Sequence, residues 1–199
     1  MIGRLFLTRT GRTWRSPWQA LTRVTNAALA LEAVEALRNL GYSLTEEQVR
    51  KGMKEAFWRG RFSVIHKSPV VVIDGAHNPA AAKVLKDSLE TYFKGRDLHF
   101  IFGVFADKDY ESVIRMTAPL AKHIITIQTP GNPRALPAEK LRDAVRSVNP
   151  SVEAAGSIRE AVEKSMENVQ KDDVIVAFGS LSFLGELDRE VQAMEGEKT

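Results

Sequence analysis

From Thr25 onward the stretch NAALALEAVEALRNLG sets small and apolar residues at helical spacing, with Thr25 or Asn26 as the expected cap and Gly41 as the stop. Residues 45–57, TEEQVRKGMKEAF, predict a second helix with acids in its first turn, where the helix dipole favours them. Together they form a helical hairpin too small to hold a core of its own. After Trp58 the period changes. Phe62–His66 and Val70–Asp74 are short strand runs separated by Lys67, Ser68 and Pro69, as in a hairpin. Helices and strands then alternate: helix 79–93, strand 98–105, helix 109–118, strand 123–128, helix 137–148, strand 151–155, helix 158–169 and strand 173–179. The runs VVVID, LHFIFGVF, HIITIQ and DVIVAFG are mostly apolar rather than alternating, as strands covered on both faces are. The pattern predicts an α/β fold: an open, mostly parallel, Rossmann-like sheet with helices on both faces.

In such a sheet ligands bind outside the carboxyl ends of the strands. The segment VVVIDGAHNP delivers Asp74 to that rim and lets the chain turn at Gly75. Asn78 then suits the N-cap, and Pro79 the first position, of the following helix. First-turn N–H groups can bind an anion. An Asp to accept ribose or amine hydrogens, a His to donate and a helix start for negative charge would make a nucleotide or carboxylate site. A capped turn with an exposed His accounts for the same residues equally well, because Asp-Gly and Asn-Pro are common in turns.

Composition narrows the classes. A hydrophobic content of 44% with 27% charged residues belongs to a globular chain, and no apolar run approaches the ~18 residues that span a bilayer. The absence of cysteine excludes disulfides, thiolate-zinc sites and a Cys nucleophile, and fits a reducing, cytoplasmic setting. The basic pI of 9.2 is local in origin. Residues 1–31 carry five arginines and no acid, while the other 168 residues have 23 Lys and Arg against 25 Asp and Glu. A nucleic-acid binder carries a basic face on its body, so neither nucleic acid nor membrane is expected as a partner. The head, residues 1–24, reads as a poorly ordered start.

FWRGRFSVI, VVVIDGAHNPAA, FGVFADKD, PRALPAEKL and FGSLSFLGEL follow one another over roughly 57–187. In this order they resemble the C-terminal domain of folylpolyglutamate synthase/dihydrofolate synthase, within the Mur ligase superfamily. The resemblance implies an ATP-dependent amide ligase joining L-glutamate to folate or dihydropteroate through an acyl phosphate. Carried over by position, it implies that Asn26, Arg61 and Asp74 bind ATP: Asn26 at adenine, Arg61 at the phosphates, Asp74 at the ribose. His77 would be catalytic and contact glutamate, and Ser180 would help to bind glutamate. It also divides the chain into an unassigned basic head (1–24), a helical remnant of a central ATPase domain (25–57) and the C-terminal α/β domain (58–199).

Without the resemblance, each residue has a plainer role. Arg59 and Arg61 could be solvated hairpin residues, Asn26 a helix cap, Ser180 a turn residue, and Asp107 and Asp109 caps. His66, His99 and His123 lie in or beside strands with no metal-ligand spacing, so no metal site is expected. No G-x-x-x-x-G-K-[ST] phosphate loop is present. The resemblance places that loop, the Mg2+ ligands and the folate pocket in a missing N-terminal ATPase half, so this chain alone is expected to be inactive. A non-catalytic ligand-binding module remains the alternative. A nicotinamide-dependent dehydrogenase is disfavoured, since no G-x-G-x-x-G follows a strand.

Overall fold

The computed structural model describes residues 4–7, 13–16, 21–56 and 59–196. These fall into two compact units, divided after residue 58.

In the first unit, β1 (Arg4–Leu7) and β2 (Thr13–Ser16) pair as an antiparallel ribbon, where the sequence suggested no element. Helix α1 spans Leu21–Asn39. Thr25 and Asn26 therefore lie inside the helix and do not cap it. Leu21–Val24 contains no Gly or Pro to stop the helix extending back one turn. At its other end the Gly41 N–H donates to Arg38 and the Tyr42 N–H to Leu37, the paired bonds of a Schellman closure. Helix α2 (Glu46–Glu55) starts with a complete capping box: the Gln48 N–H donates to Thr45 Oγ1 at 3.2 Å and the Thr45 N–H to Gln48 Oε1 at 2.9 Å. Leu31 and Val49 meet Val34, Leu44 and Met53 in a small apolar cluster.

The second unit is a six-stranded sheet. Its strands are β3 (Ser63–Lys67), β4 (Val70–Asp74), β5 (Leu98–Phe102), β6 (His123–Thr126), β7 (Val152–Ala154) and β8 (Val174–Phe178), in the order β3-β4-β8-β5-β6-β7. All neighbours are parallel except the edge pair β3–β4, whose turn holds a cis Ser68–Pro69 peptide. The connecting helices are α3 (Pro79–Tyr92), α4 (Tyr110–Thr117), α5 (Ala138–Arg146), α6 (Ile158–Asn168) and α7 (Leu181–Gly196). Helix α7 was not foreseen.

Strand residues alternate between two buried faces. Val71, Ile73, Ile101, Ile125, Ile175 and Ala177 pack with Ile158 and Val162 of α6 and with Phe183, Leu187 and Val191 of α7. Their alternates, including Val72, Phe100, Phe102, Val176 and Phe178, are equally buried on the side of α3, α4 and α5. The chain steps from β4 outward to β7 along one face, then returns through α6 on the other face to insert β8 between β4 and β5. As a result the loops leaving β4 and β8, side by side, lead to helices on opposite faces. A crevice opens at such a switch point.

Candidate active site

Three segments meet at the carboxyl ends of β4 and β8: Arg59–Phe62 before β3, Gly75–Asn78 after β4, and Ser180–Leu181 after β8. The Gly75 N–H donates to the Gly60 carbonyl at 2.8 Å, tying the first two together. Leu181 wedges against both. A Cβ on Gly75 would stand 2.7 Å from Leu181 Cδ2 and 3.5 Å from Arg61 Nη1. A side chain at position 75 would therefore have to displace Leu181, and the Arg61 guanidinium lies beside it.

Asp74 organises this loop. Its Oδ2 accepts from the Phe62 N–H at 2.7 Å and its Oδ1 from the Ala76 N–H at 2.8 Å. A carboxylate offers about four acceptor directions, so these bonds leave room for further partners. His77 is half-buried, and its Nδ1 donates to the Gly75 carbonyl at 2.8 Å. That bond selects the Nδ1–H tautomer, so in the neutral ring Nε2 carries a lone pair. The ring thus donates through Nδ1, and in this tautomer Nε2 is an acceptor.

Asn78 caps α3 as expected, accepting from the Ala81 N–H at 2.9 Å. Pro79 has no N–H, and the Ala82 N–H bonds to the Asn78 carbonyl. Of this first turn, all of it among the described residues, Ala80 alone keeps its N–H outside these bonds, so the helix start holds less anion-binding capacity than its position suggests. Ser180 is buried, its Oγ 2.6 Å from Ser182 Oγ and accepting weakly from the Ser182 N–H, as a helix cap does. Asn26 belongs to the first unit.

Asp109 caps α4 through the Ser112 N–H at 3.1 Å. Asp107 pairs with Arg134, whose guanidinium lies 5.0 Å from the Phe105 ring centre, and this pair fastens the loops after β5 and β6. The Arg134 hydrogen bond holds the Asp107 carboxyl below its ordinary pKa. Two further site features escaped the sequence reading. One is the Leu181 wedge. The other is a carboxylate, Asp188, on the buried stripe of α7 and ion-paired with Arg59. The odd acid among Phe183, Leu184, Leu187 and Val191 was its one visible signal.

Residues 60–181, most of the second unit, match the family model of the Mur ligase glutamate ligase domain. The chain belongs to the Mur ligase family. Similar curated proteins include the folylpolyglutamate synthase of Lacticaseibacillus casei, 33% identical over 158 residues, covering 78% of this chain and 35% of that protein. A probable bifunctional folylpolyglutamate synthase/dihydropteroate synthase of Haloferax volcanii is 29% identical over 173 residues, covering 86% of this chain and 20% of that protein. Among solved structures, Mycobacterium tuberculosis folylpolyglutamate synthase complexed with ADP superposes with a TM-score of 0.78 at 27% identity, covering 93% of this chain and 46% of that one. This Mur ligase chain thus spans less than half the length of the relatives it matches. Among its described residues no helix is long and apolar enough to cross a membrane.

Proposed function

We propose that this chain supplies the C-terminal, glutamate-handling side of an ATP-dependent ligase that joins L-glutamate to folate or dihydropteroate. The observation that carries the reading is the meeting of Arg61, Gly75 and Leu181 at the β4/β8 switch point, with Asp74 and His77 on the same loop. ATP phosphorylates the pteroate or folate carboxylate. Arg61, a planar donor that stays charged, faces the phosphate oxygens. Asp74 sets the loop and accepts from the ribose. The glutamate amine must lose a proton to attack, and the Nε2 lone pair of His77 can take it. Attack on the acyl phosphate forms the C–N bond; collapse of the tetrahedral intermediate breaks the C–O bond and releases phosphate. Ser180, at the start of α7, helps to seat the glutamate, and Asn26 meets the adenine from the first unit. Positioning and charge stabilisation supply most of such catalysis.

The described residues hold no group of three or more His, Asp or Glu, and no step here runs through a metal ion. The outward apolar side of α1, with Leu29 and Leu37 exposed, supports the view that residues 25–57 close an ATPase domain supplied by further polypeptide. The chain by itself is then expected to show no ligase turnover.

A second reading, a non-catalytic binding module, draws on the internal bonds of Asp74 and Ser180. Calorimetric titration with ADP separates them. One-sided ADP binding weaker than micromolar, lost on Arg61→Ala, supports the ligase side. No binding, or tight binding indifferent to Arg61, removes it.

A further inference from the structure

We propose that Asp188, on the inward stripe of α7, is a positioning residue for Arg61: by holding Arg59 it fixes the Arg59–Phe62 loop at the place where the Arg61 guanidinium lies beside Gly75. The role given to Arg61 rests on the function proposed above; the anchoring of the loop stands on geometry alone.

Leu181, Leu184 and Asp188 stand at i, i+3 and i+7, one stripe of a helix. That stripe meets two consecutive loop residues. Leu181 Cδ2 and Leu184 Cδ1 crowd Gly60, where a Cβ would lie 2.9 and 3.6 Å from them, and Asp188 Oδ2 pairs with Arg59. On the other side the loop is tied to β4 by the Gly60 carbonyl and the Phe62 N–H, and the Phe62 ring packs against Tyr92 and Phe93 at 5.9 and 6.1 Å. Arg61 is thus flanked by two residues with positive φ, Gly60 at 81° and Phe62 at 47°. A phenylalanine keeps that conformation only where its surroundings impose it.

Asp188 is 3% exposed, and its Oδ1 has no hydrogen-bond partner among the described residues. A carboxylate so placed depends on one cation, since loss of that partner strands a buried charge. The side chain of Arg59 is 63% exposed and would otherwise be at home in water. An apolar contact could hold the loop against α7 without a desolvation cost. The ion pair adds direction: it sets the backbone at residue 59, two residues away from the one whose guanidinium matters.

The test pairs hydrogen exchange with ADP titration on Asp188→Asn, Arg61→Ala and the double variant. Asp188→Asn is expected to raise exchange at the Phe62 and Gly75 amides about tenfold or more, while the β5 and β8 amides keep their protection. ADP affinity is expected to fall by about fivefold in Asp188→Asn, with little further loss when Asp188→Asn is added to Arg61→Ala, because the two act through one group. Unchanged exchange at Phe62 and Gly75 overturns the proposal, as does a loss of affinity that is additive with Arg61→Ala. Should the unaltered chain bind no ADP, the ligase reading fails and exchange alone still decides the anchor. If Asp188→Asn does not fold, Arg59→Gln tests the same link from the exposed partner, and Arg59→Lys, which keeps the charge, is expected to restore protection; equal exchange in all three overturns the anchor.

Discussion

The two units use apolar residues in different ways. In the α/β body both faces of the sheet are covered, and its exposed large apolar residues, Val64, Val148 and Leu181, are scattered singles. In the first unit α1 is apolar on two sides. Leu31 and Val34 belong to the small cluster, while Leu29 and Leu37, with Leu40 just past the helix end, stand 70%, 40% and 76% exposed. Apolar content alone does not separate the units; coverage does. Folding stability should therefore reside in the body, and substitutions of similar chemistry should read very differently in the two places.

The largest contrast is expected at Phe178. Its ring meets Phe100 edge-on at 5.2 Å and stacks on Phe102 at 4.8 Å, and it is 1% exposed. Phe178→Ala should cost about 3–5 kcal/mol in urea denaturation, through lost burial plus the cavity left behind. Gly75→Ala should cost less, about 1–3 kcal/mol, because overpacking can be relieved by a shift of Leu181. That shift would also displace Arg61, so ADP binding should suffer more than stability. Equal losses of both would mean that the Leu181 wedge is a packing feature only.

Much of the body was legible because parallel strands buried on both faces read as unbroken apolar runs. The same property hid their ends. In LHFIFGVF the apolar run continues through Phe105, yet β5 stops at Phe102. Val104 remains fully buried in a loop, its carbonyl accepting from the Leu136 N–H. Burial without a ladder looks like strand from sequence. Helix α7 was visible in the spacing of Phe183, Leu184, Leu187 and Val191 but was masked by Gly179 and Gly185. At the site, Asn78 as a cap is a local rule and was readable. Asp74 was readable as a rim residue, but its loop-setting role was not, because its bond to the Phe62 N–H joins residues twelve apart that only the β3–β4 pairing brings together. The role of Asp188 depends on contact with Arg59 across the fold, which its apolar sequence neighbours do not reveal.

The amino end of the sheet offers a smaller, pH-dependent test. His99 is 4% exposed; its Nε2 lies 3.2 Å from Asp173 Oδ2 and its buried Nδ1 has no partner among the described residues. A second proton would sit on that Nδ1, away from any acceptor. Burial therefore holds the His99 pKa below its ordinary value, with Lys122 and His123 adding to the effect and Asp173 opposing it. Because the folded state binds this proton less readily than the unfolded one, the contribution of His99 is complete above about pH 6.5 and is lost as pH falls below it, at no more than about 1.4 kcal/mol per pH unit. Asp97, Glu153 and Glu160, held below their ordinary values by Lys122 or Lys164, titrate at lower pH and do not obscure this window. His99→Gln, which keeps a donor for Asp173 but cannot titrate, should flatten denaturation midpoints measured between about pH 5 and 7.

The smallest effect is expected on the outer side of α1. Leu40 lies beyond the last helical residue, 76% exposed, and is absent from the cluster that joins Leu31 to Val49. Leu40→Gln removes apolar surface that already faces water, so the denaturation midpoint should move by no more than about 0.5 kcal/mol in either direction. Leu31→Ala, one helical face away and 5% exposed, should loosen the hairpin while leaving the body's transition where it was. Hydrogen exchange read separately over α1–α2 and over β5–β8 distinguishes these outcomes. If Leu40→Gln instead lowered the midpoint of the α/β body by several kilocalories, coverage would no longer be what separates the two units.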